Sequence, residues 1–159
     1  GMKMKLSLAL ALSHHADLII MDEPTSGLDP IFRREILDIL YSIIQDERKS
    51  IFFSTHITTD LEKIADYITF INQGKIIFST SKDEVIENYK VIKGDSKQLR
   101  DDVRSRFISI RETGVGFEGL TKDVRSIRNT LGDKIIIEKP SLEDIMFYTV
   151  RGHSDVSAY

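Results

Sequence analysis

The 159-residue sequence contains no cysteine, no tryptophan and only three prolines. Without cysteine the chain has no disulfide, no thiol nucleophile and no cysteine-rich zinc site. It also lacks any apolar run near the roughly 20 residues that a membrane-spanning helix needs, so we expect any membrane connection to come through a partner. With 22 basic and 25 acidic residues, the net charge is −3. This balance gives no electrostatic reason to expect nucleic acid as a partner.

Helix and strand patterns alternate over residues 1–89, which we assign to one domain. Continuous apolar runs, as in Asp17–Met21 and Ser50–Ser54, suit strands buried on both faces of a parallel sheet. Asp29 and Pro30 predict a helix start, with Asp as N-cap and Pro at the first helical position. The alternation predicts an α/β layered fold with a mainly parallel sheet.

The pattern changes after Tyr89, where the predicted elements become short and mixed. We predict a small α+β appendage over residues 90–150 and a loose tail over residues 151–159. Before the change, Asn72-Gln73-Gly74 predicts a hairpin turn between two strands. Thr59 with Glu62, and Ser81 with Glu84, each have the spacing of a capping box that opens a helix.

Two adjacent carboxylates follow the first apolar run. In open α/β sheets, ligands bind outside the carboxyl ends of the strands. Phosphoryl transfer to water needs Mg²⁺ beside the phosphates and a residue that orients the attacking water. Asp22 is placed for the Mg²⁺ role, and Glu23 is placed to polarise the water. A bare Asp-Glu pair is common, so the specificity comes from the surrounding segment.

That segment, Leu18-Ile-Ile-Met-Asp-Glu-Pro-Thr-Ser-Gly-Leu-Asp29, resembles the Walker B motif and the D-loop of ABC ATPases. Ser54-Thr55-His56, after the second strand, resembles their H-loop. Gly1-Met2-Lys3-Met4-Lys5 resembles the tail of their signature motif, in a variant found in some bacterial exporters. The order and spacing of the three motifs match, and the resemblance covers Gly1 to about Asn88.

The resemblance implies a role for each matching residue. Asp22 would bind Mg²⁺, Glu23 would be the catalytic base, and His56 would contact the γ-phosphate and the water. The remaining matches would serve the dimer and its nucleotide: these are Gly1, which would offer its N–H to the partner's ATP, and the D-loop residues Ser26, Gly27, Leu28 and Asp29. Read without the resemblance, Asp29 is a helix cap and His56 a loop histidine.

The departures from the family pattern are equally informative. The signature serine, the phosphate-binding loop G-x-x-x-x-G-K-[ST], the Q-loop and an adenine-stacking aromatic have no match in the sequence. The helix pattern at Met2 also begins without a capping residue. We therefore expect the C-terminal part of an ABC ATPase, an incomplete P-loop NTPase core, that cannot hydrolyse ATP alone.

The resemblance implies an ATP-hydrolysing subunit at the cytoplasmic face of a membrane. Its cofactors would be ATP and Mg²⁺, and its partners a transmembrane permease and a second ATP-binding subunit in a head-to-tail dimer. The isolated chain is expected to self-associate through its uncovered strands. Two alternatives remain at this point: a soluble ABC-type ATPase, and a non-catalytic regulatory or dimerising module.

Overall fold

The computed structural model describes residues 2–14 and 16–156, with side chains described over 6–14 and 16–152. These residues form two compact units, and the division falls between Ala65 and Asp66. The sequence instead predicts a change of domain after Tyr89. No helix within the described ranges is long and apolar enough to cross a membrane.

The first unit combines three helices with two parallel strands. The strands pair from Leu18 opposite Ser50 to Asp22 opposite Ser54, so both strands end at the same edge. The helical prediction for Met2–Ser13 and the strand prediction for Ser50–Ser54 are confirmed. The elements are α1 (Met2–Ser13), β1 (Leu18–Asp22), α2 (Pro30–Ile44), β2 (Ser50–Ser54) and α3 (Thr58–Ile64).

The helix α2 begins where its capping residue predicts. Asp29 Oδ1 accepts the backbone N–H groups of Ile31 at 3.1 Å and Phe32 at 3.0 Å, and Pro30 is the first helical residue. The side chain thereby satisfies two donors that have no partner inside the helix. The buried face of α2, with Ile36 and Leu40, packs against Leu8 of α1. The N-cap prediction for Asp29 is confirmed.

The prediction that β1 and β2 are buried on both faces is wrong. Ile19 is buried, but Ile20 is 70% exposed and Phe52 is 64% exposed. Side chains alternate between the two faces of a strand, and the helices of this unit cover only one face. Of the strand pairs described within residues 1–89, β1–β2 is parallel and the hairpin over residues 67–81 is antiparallel. A mainly parallel sheet for this range therefore stays a prediction.

The second unit opens with a tight hairpin, as the sequence predicts. Strands β3 (Tyr67–Asn72) and β4 (Lys75–Ser81) pair antiparallel. Gln73 and Gly74 have φ of 49° and 74°, and positive φ at both central residues is the mark of a type I′ turn. Ser81 then caps α4 (Lys82–Asn88), accepting the N–H of Glu84 at 3.3 Å. This contact confirms Ser81 as the N-cap of α4, whereas the Glu84 carboxylate accepts from the hydroxyl of Thr80.

A four-stranded antiparallel sheet completes the second unit, with its strands in the spatial order Ser109–Thr113, Gly116–Thr121, Lys90–Gly94 and Ile136–Glu138. Ile92 and Phe117 from the sheet pack with Ile127 from a helix in its core. The elements are β5 (Lys90–Gly94), α5 (Asp101–Arg104), β6 (Ser109–Thr113), β7 (Gly116–Thr121), α6 (Val124–Leu131), β8 (Ile136–Glu138) and α7 (Leu142–Val156), with short 3₁₀ turns at Ser96–Gln98 and Gly132–Lys134. The described chain is thus a mixed α/β structure with parallel and antiparallel sheets.

Two further local predictions are wrong. The residue before α3 is Ile57, which makes no side-chain cap, and Thr59 lies inside the helix with its hydroxyl accepting from Arg33 at 2.6 Å. The helix α7 continues to Val156, where the sequence predicts a loose tail from residue 151. Gly152 makes this continuation possible, because a Cβ there would lie 2.4 Å from the carbonyl oxygen of Ile108.

Candidate functional site

The carboxyl ends of β1 and β2 bring three of the predicted site residues together. Asp22 ends β1 and Glu23 follows it, while His56 lies two residues after the end of β2. Because the strands are parallel and in register, their ends meet at one edge. The structure therefore brings His56 to Glu23 and Ser54 to Asp22, each across more than thirty residues of sequence.

Glu23 is held in an uncommon backbone conformation. Its φ is 47°, in the left-handed region that residues other than glycine rarely adopt. A hydrogen bond to the neighbouring strand helps to hold this conformation, since the N–H of Glu23 donates to the carbonyl oxygen of Ser54 at 3.0 Å. Backbone strain of this kind is concentrated at functional sites.

The two carboxylate oxygens of Glu23 have different surroundings. Oε1 lies 2.8 Å from Nδ1 of His56. Oε2 is buried and has no hydrogen-bond partner among the described residues. Buried polar atoms normally have a partner, so an acceptor left over beside an imidazole is suited to receive a hydrogen bond from a water molecule. The pair has the geometry of a general base and its orienting group.

Asp22 provides the oxygen ligands expected for a hard cation. Its Oδ1 accepts a hydrogen bond from the hydroxyl of Ser54, directly across the strand pair. No group of three or more His, Asp or Glu side chains within the described ranges forms a metal cage. Mg²⁺ is usually bound by only one or two carboxylates, with waters and phosphates completing its shell. The exposed Asp22 carboxylate and the Ser54 hydroxyl fit such an ion.

The predicted D-loop residues lie in the loop between β1 and α2. The chain turns there through hydrogen bonds from Ser26 N to Glu23 O at 3.2 Å and from Leu28 N to Thr25 O at 3.3 Å, with Gly27 at a φ of 70°. Ser26 and Gly27 are exposed, whereas the carboxylate of Asp29 is engaged as the helix cap. The predicted contact through Gly1 lies outside the described residues.

Sequence reasoning missed a buried carboxylate next to this site. Asp60 is 0% exposed. Its Oδ2 accepts from the hydroxyl of Thr25 at 2.5 Å, and its Oδ1 accepts from Nε of Arg33 at 2.8 Å and lies 2.6 Å from Nη2. An acidic residue near the start of a helix usually faces solvent, so the sequence held no signal that would single out Asp60.

The fold and this group of side chains are consistent with the P-loop type of nucleotide-hydrolysing α/β domain. A family model described as "AAA domain, putative AbiEii toxin, Type IV TA system" matches residues 1–59.

Comparison with curated proteins gives a more specific relationship. An uncharacterized ABC transporter ATP-binding protein of Synechocystis sp. is 30% identical over 159 aligned residues, covering 95% of this chain and 45% of the relative. The fluoroquinolones export ATP-binding protein of Mycobacterium tuberculosis is 30% identical over 96% of this chain and 49% of its own length. The bacitracin transport ATP-binding protein of Bacillus licheniformis is 40% identical over 48% of this chain and 25% of its own length.

These similarities place the chain in the family of ABC transporter ATP-binding proteins. The chain spans between a quarter and a half of the lengths of these three relatives.

Proposed function

We propose that the protein to which this chain belongs hydrolyses ATP to drive transport across a membrane. In this proposal the chain supplies the side of the ATP site that holds Mg²⁺ and activates water. The contact of 2.8 Å between Glu23 Oε1 and His56 Nδ1 is the observation that carries the proposal. This contact would join a general base to the group that orients it, next to Asp22. The similarity of the chain to ATP-binding proteins of transporters makes ATP the substrate of choice for such a site.

Each side chain has a distinct chemical task in this proposal. Glu23 accepts the proton of the attacking water, for which its buried Oε2 is available. His56 holds the carboxylate of Glu23 in place and faces solvent, with 70% of its side chain exposed. Asp22 and Ser54 would hold Mg²⁺, which supplies charge neutralisation for the phosphates when bound.

The proposed assembly follows the family arrangement. Residues 1–89 would form part of an incomplete P-loop NTPase core with its sheet completed by other strands, and residues 90–150 a C-terminal appendage. Gly1 would meet the ATP bound to a second ATP-binding subunit, and the exposed Ser26 and Gly27, with Asp29, would touch that subunit. A transmembrane permease would keep the protein at the cytoplasmic face of the membrane. The mixed fold and the similarity to transporter subunits support this arrangement.

The decisive experiment is Glu23→Gln in the whole ATP-binding protein. Loss of a general base lowers turnover by about 10²-fold to 10⁴-fold, so kcat should fall by that amount. Binding of Mg·ATP, measured by calorimetry, should persist, because the amide keeps the size of the side chain. His56→Ala should also lower kcat.

Glu47→Gln provides the matched control, since Glu47 is exposed and follows α2 well away from the site in sequence. It should leave kcat and ATP binding unchanged. Hydrolysis by the Glu23→Gln protein at the parental rate would refute the proposed role of Glu23.

A further inference from the structure

We infer that Asp60, Arg33 and Thr25 are positioning residues that hold Glu23 and His56 at their working separation. The inference rests on the proposed function, because it concerns how the side chains of the same site are held in position. None of the three was predicted from the sequence, and none of them is one of the reacting groups.

The carboxylate of Asp60 is fully occupied by its neighbours. Oδ2 accepts from Thr25, and Oδ1 lies within 2.8 Å of two nitrogens of Arg33. The Asp60 side chain has 0% exposure, whereas Arg33 keeps 27%. A buried carboxylate is tolerated when it is paired and hydrogen-bonded, and the fork of Arg33 meets this need with defined geometry.

These hydrogen bonds connect the segments that carry the two reacting residues. Thr25 lies two residues after Glu23, in the loop that leaves β1. Asp60 lies four residues after His56, in the first turn of α3. The bond from Thr25 to Asp60 therefore joins the Glu23 segment to the His56 segment at a second point, besides the contact between Glu23 and His56 themselves.

Arg33 adds a third segment to the same connection. It lies in α2, the helix whose start is fixed by Asp29, and it also donates from Nη2 to the hydroxyl of Thr59 at 2.6 Å. The residue before α3, Ile57, offers no side-chain cap. The position of α3, and with it the loop of His56, thus depends on polar contacts from α2 and from the Glu23 loop.

A buried ion pair is weak evidence for stability, and in some proteins its role is to fix a specific geometry. A reacting group displaced by 1 Å can lose about 10²-fold in rate. We therefore expect the Asp60 contacts to affect the rate of the chemical step more than ATP affinity, because none of Asp60, Arg33 and Thr25 is itself proposed to contact the phosphates or Mg²⁺.

The positional link can be tested on the 159-residue chain itself. In Asp60→Asn the side chain keeps its size but loses its charge, and the nitrogen and proton NMR signals of the His56 imidazole should move or broaden. Thr25→Val, which removes one hydroxyl and keeps the ion pair, should move the same signals by less. Asp46→Asn serves as the control, since it breaks an exposed ion pair with Arg48 at 3.0 Å and should leave them in place.

The kinetic test uses the whole ATP-binding protein. Asp60→Asn should lower kcat by about 10-fold to 100-fold, with the KM for ATP unchanged. The double variant Thr25→Val with Asp60→Asn should be no slower than Asp60→Asn alone, because both changes break one connection. Arg33→Lys, which keeps the charge but not the fork, should fall between the parent and Asp60→Asn.

The two tests separate the inference from the proposed function. A parent protein without ATPase activity would refute the proposed function, and the imidazole signals would still report on the positional link. A folded Asp60→Asn chain with unmoved His56 signals would overturn the inference. Parental kcat in the Asp60→Asn protein would overturn it as well.

Discussion

Among single residues, Tyr148 shows how burial and a carboxylate act together on one hydroxyl. Its side chain is 2% exposed, and its hydroxyl donates to Glu118 Oε1 at 2.6 Å. Burial is the main cause that raises the pKa of Tyr148 above its ordinary value of 10.0, and the hydrogen bond to Glu118 adds to it. The hydroxyl therefore stays protonated in the folded chain at pH values where an unfolded tyrosine ionises.

This difference predicts a pH-dependent loss of stability. Above pH 10 the unfolded state releases the proton while the folded state keeps it, so the free energy of unfolding should fall as pH rises. In Tyr148→Phe this contribution is absent. At pH 7 the variant should be less stable than the parent by about 1 kcal/mol, the usual value of one hydrogen bond. Above pH 10 the gap should narrow.

Urea unfolding of the parent and of Tyr148→Phe at pH 7 and above pH 10 measures both effects. Tyr41→Phe is the control, because Tyr41 is 53% exposed and the change removes the same hydroxyl from the surface of the chain. A gap between the parent and Tyr148→Phe that widens above pH 10 would contradict the assignment.

The sequence predicts site residues only where a pattern marks them. Asp22, Glu23 and His56 follow apolar runs, and the structure brings them together as predicted. Their chemical roles remain predictions. The burial of Asp60 could not be predicted, because the sequence of a helix does not show which side chain faces inward when the neighbouring residues are also polar. Its burial depends on Thr25 and Arg33, which are distant in sequence.

Among the elements, α7 depends on one close approach between backbones. Gly152 lies in this helix beside Ile108, and a Cβ added there would come within 2.4 Å of the Ile108 carbonyl oxygen. Gly114, in the turn between β6 and β7, has no neighbour within 4 Å of the same position. The two glycines thus form a matched pair, one in contact with backbone and one open.

We expect Gly152→Ala to destabilise the chain and Gly114→Ala to be nearly neutral. Overpacking costs about 1–3 kcal/mol, whereas the better helix propensity of Ala returns about 1 kcal/mol. The net loss for Gly152→Ala should therefore reach up to about 2 kcal/mol. Thermal or urea unfolding of the two variants checks this. A Gly152→Ala chain more stable than the parent would show that α7 does not need the approach.

Elements with local signals were predictable, and those set by distant contacts were not. Asp29 and Pro30 predict the start of α2, and Gln73 and Gly74 predict the hairpin turn. The length of α7 was not predicted because glycine commonly ends a helix, whereas here Gly152 packs against the backbone of Ile108, just before β6. The exposed faces of β1 and β2 were missed because an apolar run does not reveal whether both of its faces are covered.

At the scale of the whole molecule, the first unit has an uncovered apolar surface. Leu18, Ile20 and Phe52 share one face of the β1–β2 pair and are 54%, 70% and 64% exposed. Each of the two strands also has a single partner among the described pairings. Unpaired strand edges and exposed apolar patches both favour association between chains.

We therefore expect the 159-residue chain to self-associate in solution, and to do so equally with and without Mg·ATP. Light scattering coupled to size exclusion measures both points. Phe52→Ser should shift the population toward the monomer. Val115→Ser should not, because Val115 is 96% exposed in the turn between β6 and β7 and is not part of the β1–β2 pair. A parent chain that stays monomeric at high concentration would disprove the expectation.

The register of β1 against β2 has a consequence for the fidelity of the site. Asp22 faces Ser54 only in the pairing that also turns Ile19 toward the helices. A slip of one residue would reverse the faces of a strand and would separate Asp22 from Ser54. Because both faces of β1 are apolar, with Ile19 on the covered face and Leu18 and Ile20 on the open one, burial does little to prevent such a slip. The pairing of Asp22 with Ser54 at the polar end is therefore what distinguishes the correct alignment of the two strands from a shifted one.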